Sequence, residues 1–181
     1  IDNIEELTQE LLDDHHHFAE LSDSKINATE LVAILIGLKE SIKEGIELVY
    51  EKIKGSCSML VLTDHAIYAA RDKFGRTPIT IGKNEKGYVC ASESSSFDNL
   101  GYDFVRDLGP GEIVRMTADG IHQVKAPGKR KQVCSFLWVY YGYPSAWYEG
   151  INVEDSRYRC GAAMARRDTD IEPDFAAGIP D

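Results

Sequence analysis

The chain opens in helical periodicity. Ile4, Leu7, Leu11 and Leu12 recur at intervals that place them on one face of a helix. Asn3 followed three positions later by Glu6 is a capping-box pattern, and it predicts the start of that helix. Asp13-Asp14 and His15-His16-His17 end it in a polar cluster. A second box, Asn27 with Glu30, opens a run with Leu31, Ile34, Leu35 and Leu38 on one side. Ser41 with Glu44 opens a third, whose face is Ile42, Ile46, Val49 and Ile53 and whose stop is Gly55. The pattern predicts three amphipathic helices, each burying one stripe.

At Ser56 the pattern becomes strand-like. Cys57 to Thr63 is an apolar run of strand length, Asp64-His65 its turn, and Ala66 to Arg71 the return strand. Pro78 to Gly82 and Tyr88 to Ser92 form another pair around Asn84-Glu85-Lys86-Gly87. Ser94 to Leu100 reads as a short helix closed by Gly101. Phe104 to Asp107, Glu112 to Met116 and Ile121 to Val124 read as further strands, with Asp119-Gly120 a hairpin turn between the last two. Short strands and tight turns imply a largely antiparallel sheet. Beyond a basic loop, Lys125 to Gln132, lies the apolar segment Cys134 to Tyr141. Val153 to Arg166 reads as a helix with Tyr158, Ala162 and Ala165 available for packing, and Asp174 to Asp181 as a new strand and the start of a loop. Helices, then strands, then a helix give a layered α+β domain.

Composition narrows the function classes. The chain has 181 residues, 43% hydrophobic and 28% charged, which supports a sizeable core and excludes a disordered chain. Thirty acidic residues against 20 basic ones give a net charge of −10. A protein whose main task is gripping nucleic acid needs the opposite sign, and Lys129-Arg130-Lys131 is too short to reverse that. No apolar run approaches the roughly 20 residues that cross a bilayer, so no membrane partner is expected. Cys57, Cys90, Cys134 and Cys160 are far apart and without C-x-x-C spacing. That argues against a disulfide framework or a zinc site, and for reduced thiols in a cytoplasmic protein.

Taken alone, the chemical signals are sparse. Adjacent residues on a helix point about 100° apart, so His15-His16-His17 read as a solvated helix end rather than a metal site. There is no G-x-x-x-x-G-K-[ST] loop and no G-x-S-x-G elbow. Ser22-Asp23-Ser24, between two helices, offers a carboxylate that can fix a substrate ammonium by an ion pair and hydrogen bonds. The alternative is an ordinary helix N-terminus, where Asp caps. Arg71 to Pro78 is a dense turn in which Gly75 supplies backbone freedom and Arg71 and Asp72 can lock the loop ionically, an architectural role.

The order of motifs adds what no single motif does. Ala70 to Pro78 is followed by Ile81-Gly82, then Ala91-Ser92-Glu93-Ser94, then Leu100 to Asp107, then Pro110-Gly111-Glu112 and Asp119-Gly120. This succession resembles the glutaminase domain of class II glutamine amidotransferases. Cys134 to Tyr141 resembles the C-x-F-E-x-V-Y-F segment of the amidophosphoribosyltransferases among them; Val153, Arg157 and Gly161 fit the helix that follows it. Asp174 to Asp181 resembles the strand that begins their phosphoribosyltransferase domain. The resemblance implies an N-terminal-nucleophile hydrolase, an αββα sandwich here lacking its N-terminal strands. Residues 1–168 would be the C-terminal part of the amidotransferase domain and 169–181 the start of the transferase domain.

The same resemblance implies glutamine hydrolysis through a thioester, with ammonia passed to phosphoribosyl pyrophosphate to give phosphoribosylamine in purine biosynthesis. The nucleophilic cysteine and the oxyanion-hole Asn-Gly match nothing in this sequence and are expected upstream of Ile1, so this chain alone is expected to be inactive. Asp23 matches the aspartate of the Ser-Asp-Ser/Thr-Glu motif that holds the glutamine α-amino group, with Lys25 in place of the Glu. Cys134 stands where some members ligate an iron–sulfur cluster, with a structural thiol the preferred reading; Mg is expected only with the transferase half, and a homo-oligomer is expected. Leu137 replaces a family Glu, and Tyr141 to Ala146 replaces F-A-R-P-D-S. These departures keep two alternatives open: a non-catalytic regulatory or scaffold paralogue, and another class II amidotransferase forming asparagine or an amino sugar.

Overall fold

The three predicted helices form as α1 (Ile4–Asp13), α2 (Ala28–Gly37) and α3 (Ile42–Lys52). The computed structural model describes residues 1–19, 21–22, 25–170 and 172–178. Ser41 Oγ accepts from Glu44 N at 3.2 Å and donates to Glu44 Oε2 at 2.8 Å, the reciprocal box its spacing predicts. Asn27 Oδ1 accepts from Thr29 N at 2.8 Å, while Glu30 Oε1 takes the N–H of Ala19 at 2.7 Å. The buried stripes are Leu7 and Leu11, then Leu31, Leu35 and Ile36, then Ile46, Val49 and Tyr50. Leu12 and Leu38, expected on those faces, are exposed. Leu12 is turned about 100° from the buried Leu11, and Leu38 is only the C-cap of α2.

The strands assemble into two antiparallel sheets. One has the order β3 (Met59–Leu62), β4 (Ile67–Ala70), β8 (Ile113–Thr117), β9 (Gly120–Lys125). The other has β6 (Gly87–Ala91), β5 (Thr80–Asn84), β7 (Asp103–Asp107). Two more short strands, β1 (Leu21–Ser22) and β2 (Lys25–Ile26), pair with each other ahead of α2. Successive residues of a strand point to opposite faces, and this sets the layering. Ala70 and Ile113 face the helices, whereas their neighbours Ala69 and Val114 face Ile79, Ile81 and Leu108 of the second sheet region. Behind that sheet lies α4 (Ser95–Leu100). A Cβ on Gly82 would come within 2.9 Å of Val89 and 3.0 Å of Phe97, so only glycine lets α4 seat its buried Phe97 there. The layers run α, β, β, α.

These elements belong to one compact unit, Ile1–Cys134; a second is Ser135–Asp181. The second contains a π-helical turn over Leu137–Tyr141, the hairpin β10 (Trp147–Tyr148) and β11 (Ile151–Asn152), and α5 (Val153–Arg167). Asn152 caps α5 through Asp155 N at 3.0 Å. Arg157 donates to the carbonyls of Trp138, Tyr140 and Gly142 at 2.9, 3.1 and 2.9 Å, which satisfies the open end of the π-helical turn. Among the described residues the core of this unit is Ala146, Tyr148 and Val153 with partly buried Leu137 and Trp138. The packing face expected on α5 is not buried: Tyr158 is 77% exposed and Ala165 is exposed. The expected strand at 174–181 also does not form over 174–178, where no strand among the described residues supplies a ladder; residues 179–181 lie outside the described residues.

Candidate functional site

The Asn3 side chain does not cap α1. It is 8% exposed, and its carboxamide reads the backbone at the end of α3: Nδ2 donates to Lys52 O at 3.0 Å and Oδ1 accepts from Lys54 N at 2.9 Å. Asp2 N adds a bond to Lys54 O at 2.8 Å. A carboxamide carries one donor and one acceptor side, like a peptide group, so Asn3 joins residues 1–3 to 52–54 as a paired strand would. The capping-box reading is corrected here: the same residue type at the same place serves a long-range contact. The exposed pairs Lys52–Glu10 and Lys54–Glu6 flank this joint and add little.

Next to it, Tyr50 Oη donates to Arg71 O at 2.6 Å and Lys73 Nζ donates to Tyr50 O at 3.1 Å. Burial, with Asp72 nearby, pushes the Tyr50 phenol far above its ordinary range, so it remains a donor. Val49, Tyr50, Ile53, Gly55, Cys57, Asp72 and Lys73 line a crevice of about 10 Å³, room for about one water. That is a packed joint, far too small for an amino-acid substrate. Burial also raises the Cys57 and Cys90 thiols, so neither is poised as a thiolate nucleophile.

The Arg71–Pro78 turn is locked, but through backbone groups. Arg71 is fully buried and donates to the carbonyls of Leu108 and Gly75. The Asp72 carboxylate takes Phe74 N at 3.0 Å and Thr77 N at 2.9 Å. Gly75 sits at φ +71 with the Arg71 guanidinium 3.3 Å from where a Cβ would lie, so any side chain there is strained and crowded.

A third lock was not anticipated from the sequence. Glu112, 1% exposed, accepts from Arg106 Nη1 and Nη2 at 3.0 and 2.8 Å, from Gly109 N at 2.7 Å and from Gln123 Nε2 at 2.7 Å. Burial alone would raise its carboxyl pKa; the bonds from Arg106, Gly109 and Gln123 and the Arg106 charge outweigh that and hold it below the ordinary value. The one available signal was an arginine and a glutamate flanking a Gly-Pro-Gly turn.

The residue expected to bind substrate, Asp23, lies outside the described residues. Its flanks are placed: Leu21 pairs with Ile26 and Ser22 with Lys25. Cys134 is a free, exposed thiol. Among the described residues no three His, Cys, Asp or Glu side chains converge to hold a metal ion. No helix among them is long and apolar enough to cross a membrane.

Comparison with known proteins places this architecture. The glutamine amidotransferase domain model matches residues 1–99. The amidophosphoribosyltransferase of Archaeoglobus fulgidus is 33% identical over 180 residues, which is 99% of this chain and 39% of that protein. That of Synechococcus elongatus is 32% identical, again over 99% of this chain and 37% of its own. Among solved structures, the glutamine phosphoribosylpyrophosphate amidotransferase of B. subtilis, complexed with ADP and GMP, superposes with a TM-score of 0.81 at 28% identity. It covers 94% of this chain and 37% of that one. The chain therefore spans less than two-fifths of the length of these relatives.

Proposed function

The chain belongs to the glutamine amidotransferase domain family, and from that premise we propose that it is the C-terminal part of the glutaminase domain of an amidophosphoribosyltransferase-like enzyme. The observation that carries this reading is the reach of the likeness. The family model ends at residue 99, yet the amidophosphoribosyltransferase of A. fulgidus aligns over 99% of the chain. The αββα layering agrees with it.

In the complete enzyme, a cysteine upstream of Ile1 attacks the glutamine amide with its own α-amino group as base, forming a glutamyl thioester and releasing ammonia; water then hydrolyses the thioester to glutamate and restores the thiol. Ammonia then displaces pyrophosphate from phosphoribosyl pyrophosphate and leaves phosphoribosylamine. Asp23 holds the glutamine α-ammonium by a charge-assisted hydrogen bond. Residues 169–181 begin the transferase half, which brings the Mg. The protein is cytoplasmic and homo-oligomeric, and Cys134 is a structural thiol.

In the complete enzyme, Asp23→Ala should raise the glutamine KM at least tenfold, the loss of one ion pair to substrate, while use of free ammonia survives. Equal loss of both activities would assign Asp23 a folding role. The second reading, a non-catalytic paralogue, rests on Leu137 and Tyr141 to Ala146; glutamine turnover by the complete protein excludes it.

A further inference from the structure

Two loops gather cations around one ring. Residues 73–76 bring Lys73 and Arg76 to the Phe74 ring, and residues 125–131 bring Arg130, on a chain that is net −10. Lys73 Nζ lies 5.3 Å from the centroid of the Phe74 ring, Arg76 Cζ 5.9 Å and Arg130 Cζ 4.9 Å. Three like charges on one ring are within about a Debye length of each other and repel. The π-face offsets part of this.

The arrangement is held from below. Gln132 N donates to Phe74 O at 2.8 Å and Arg76 Nη2 to Gln132 Oε1 at 3.1 Å, which ties the loops to each other. Gly111 N to Asp72 O and Gly128 N to Pro110 O, at 2.8 and 2.7 Å, tie both to the turn before β8.

Two of the nearby carboxylates are already committed. Asp72 is buried and serves backbone N–H groups. Glu47 pairs with Lys125 at 3.1 Å and with Lys43 at 3.7 Å. Glu51, on α3, lines the adjacent open groove of about 530 Å³ that Lys73 and Lys125 also border. Among the described residues no carboxylate pairs with Lys73, Arg76 or Arg130. Between Asp119 and Glu149 the sequence has no acidic side chain at all.

We propose that this collar of Lys73, Arg76 and Arg130 on Phe74 is a binding site for a polyphosphate anion, free or carried by a small metabolite. Guanidinium forks match phosphate oxygens in pairs, the cations are pre-placed rather than carried on a floppy tail, and an anion between them removes their mutual repulsion. The patch is too small to hold a nucleic acid on an acidic protein. The inference is independent of the glutaminase reading.

Isothermal titration of this chain with tripolyphosphate tests it, at 50 and 200 mM NaCl. Saturable binding is expected, weakened about tenfold or more in Arg76→Gln/Arg130→Gln and unchanged within about twofold in Lys39→Gln/Lys86→Gln, whose lysines lie outside both loops. Higher salt should weaken the wild type more than the double variant. Should the double variant fail to fold, Arg130→Gln alone removes a cation and no hydrogen bond. ATP binding more tightly than tripolyphosphate would mean that the groove reads the rest of a metabolite; equal affinities, that the anion alone is read. No saturable heat at millimolar tripolyphosphate, equal binding by wild type and the Arg130 variant, or sulfate binding as tightly as tripolyphosphate would each overturn the site.

Discussion

Arg106 grips Glu112 with both terminal guanidinium nitrogens, at 3.0 and 2.8 Å, across the turn that joins β7 to β8. The carboxylate is buried and its folded pKa is lowered. A lowered carboxyl pKa stabilises the fold above the unfolded value of about 4.3, and that contribution is lost as the pH falls through it toward the folded value. Thermal melts from pH 7 down to 3 should therefore show wild type losing stability faster than Glu112→Gln, with the curves converging at the acid end. At pH 7 the variant should be less stable by about 1–3 kcal/mol, the cost of breaking a buried charged hydrogen bond. Parallel curves would deny Glu112 this role.

Asn3 distinguishes a long-range clamp from a helix cap. Asn3→Ala leaves Lys54 N and Lys52 O without their partner, and should cost about 2–3 kcal/mol in urea unfolding. Ser41→Ala removes only a cap and should cost about 1 kcal/mol. The reverse order would restore the capping reading.

Tyr50→Phe removes the donor to Arg71 O and nothing else of the ring. A loss of about 1–2 kcal/mol is expected in the same assay. No measurable loss would mean that water replaces the phenol in the crevice.

The thiols should fall into two classes. Cys134 and Cys160 are exposed, whereas Cys57 and Cys90 are half-buried with raised pKa values. Alkylation at pH 7.5, read by peptide mass spectrometry, should label the first pair rapidly and the second pair slowly. Rapid labelling of Cys57 would contradict the packing at the end of α3.

Much of the first unit is legible as periodicity. Ile46, Val49 and Ile53 mark a helix face, and the hairpin at Asp119-Gly120 forms where its turn residues stand. What escaped was long-range. The Asn3 pattern is identical whether the carboxamide caps its own helix or reaches Lys52 and Lys54, and only the fold chooses. Arg71 and Asp72 were expected to lock their loop ionically, whereas the fold directs both to backbone groups, Leu108 O and Thr77 N among them. In α5, Tyr158 and Ala165 have helical spacing but none of the described residues of their own unit buries them. Asp23 was singled out by motif resemblance; its paired flanks, Ser22 and Lys25, are what the structure adds.

The reading of the chain as part of an amidophosphoribosyltransferase-like enzyme is tested most directly on the complete protein, with glutamine and phosphoribosyl pyrophosphate supplied together and pyrophosphate and glutamate measured. The account predicts that the two products appear in equal amounts and that both depend on an N-terminal cysteine. Glutamate without pyrophosphate would point to a different ammonia acceptor, and neither product from a protein that keeps the cysteine would contradict the account.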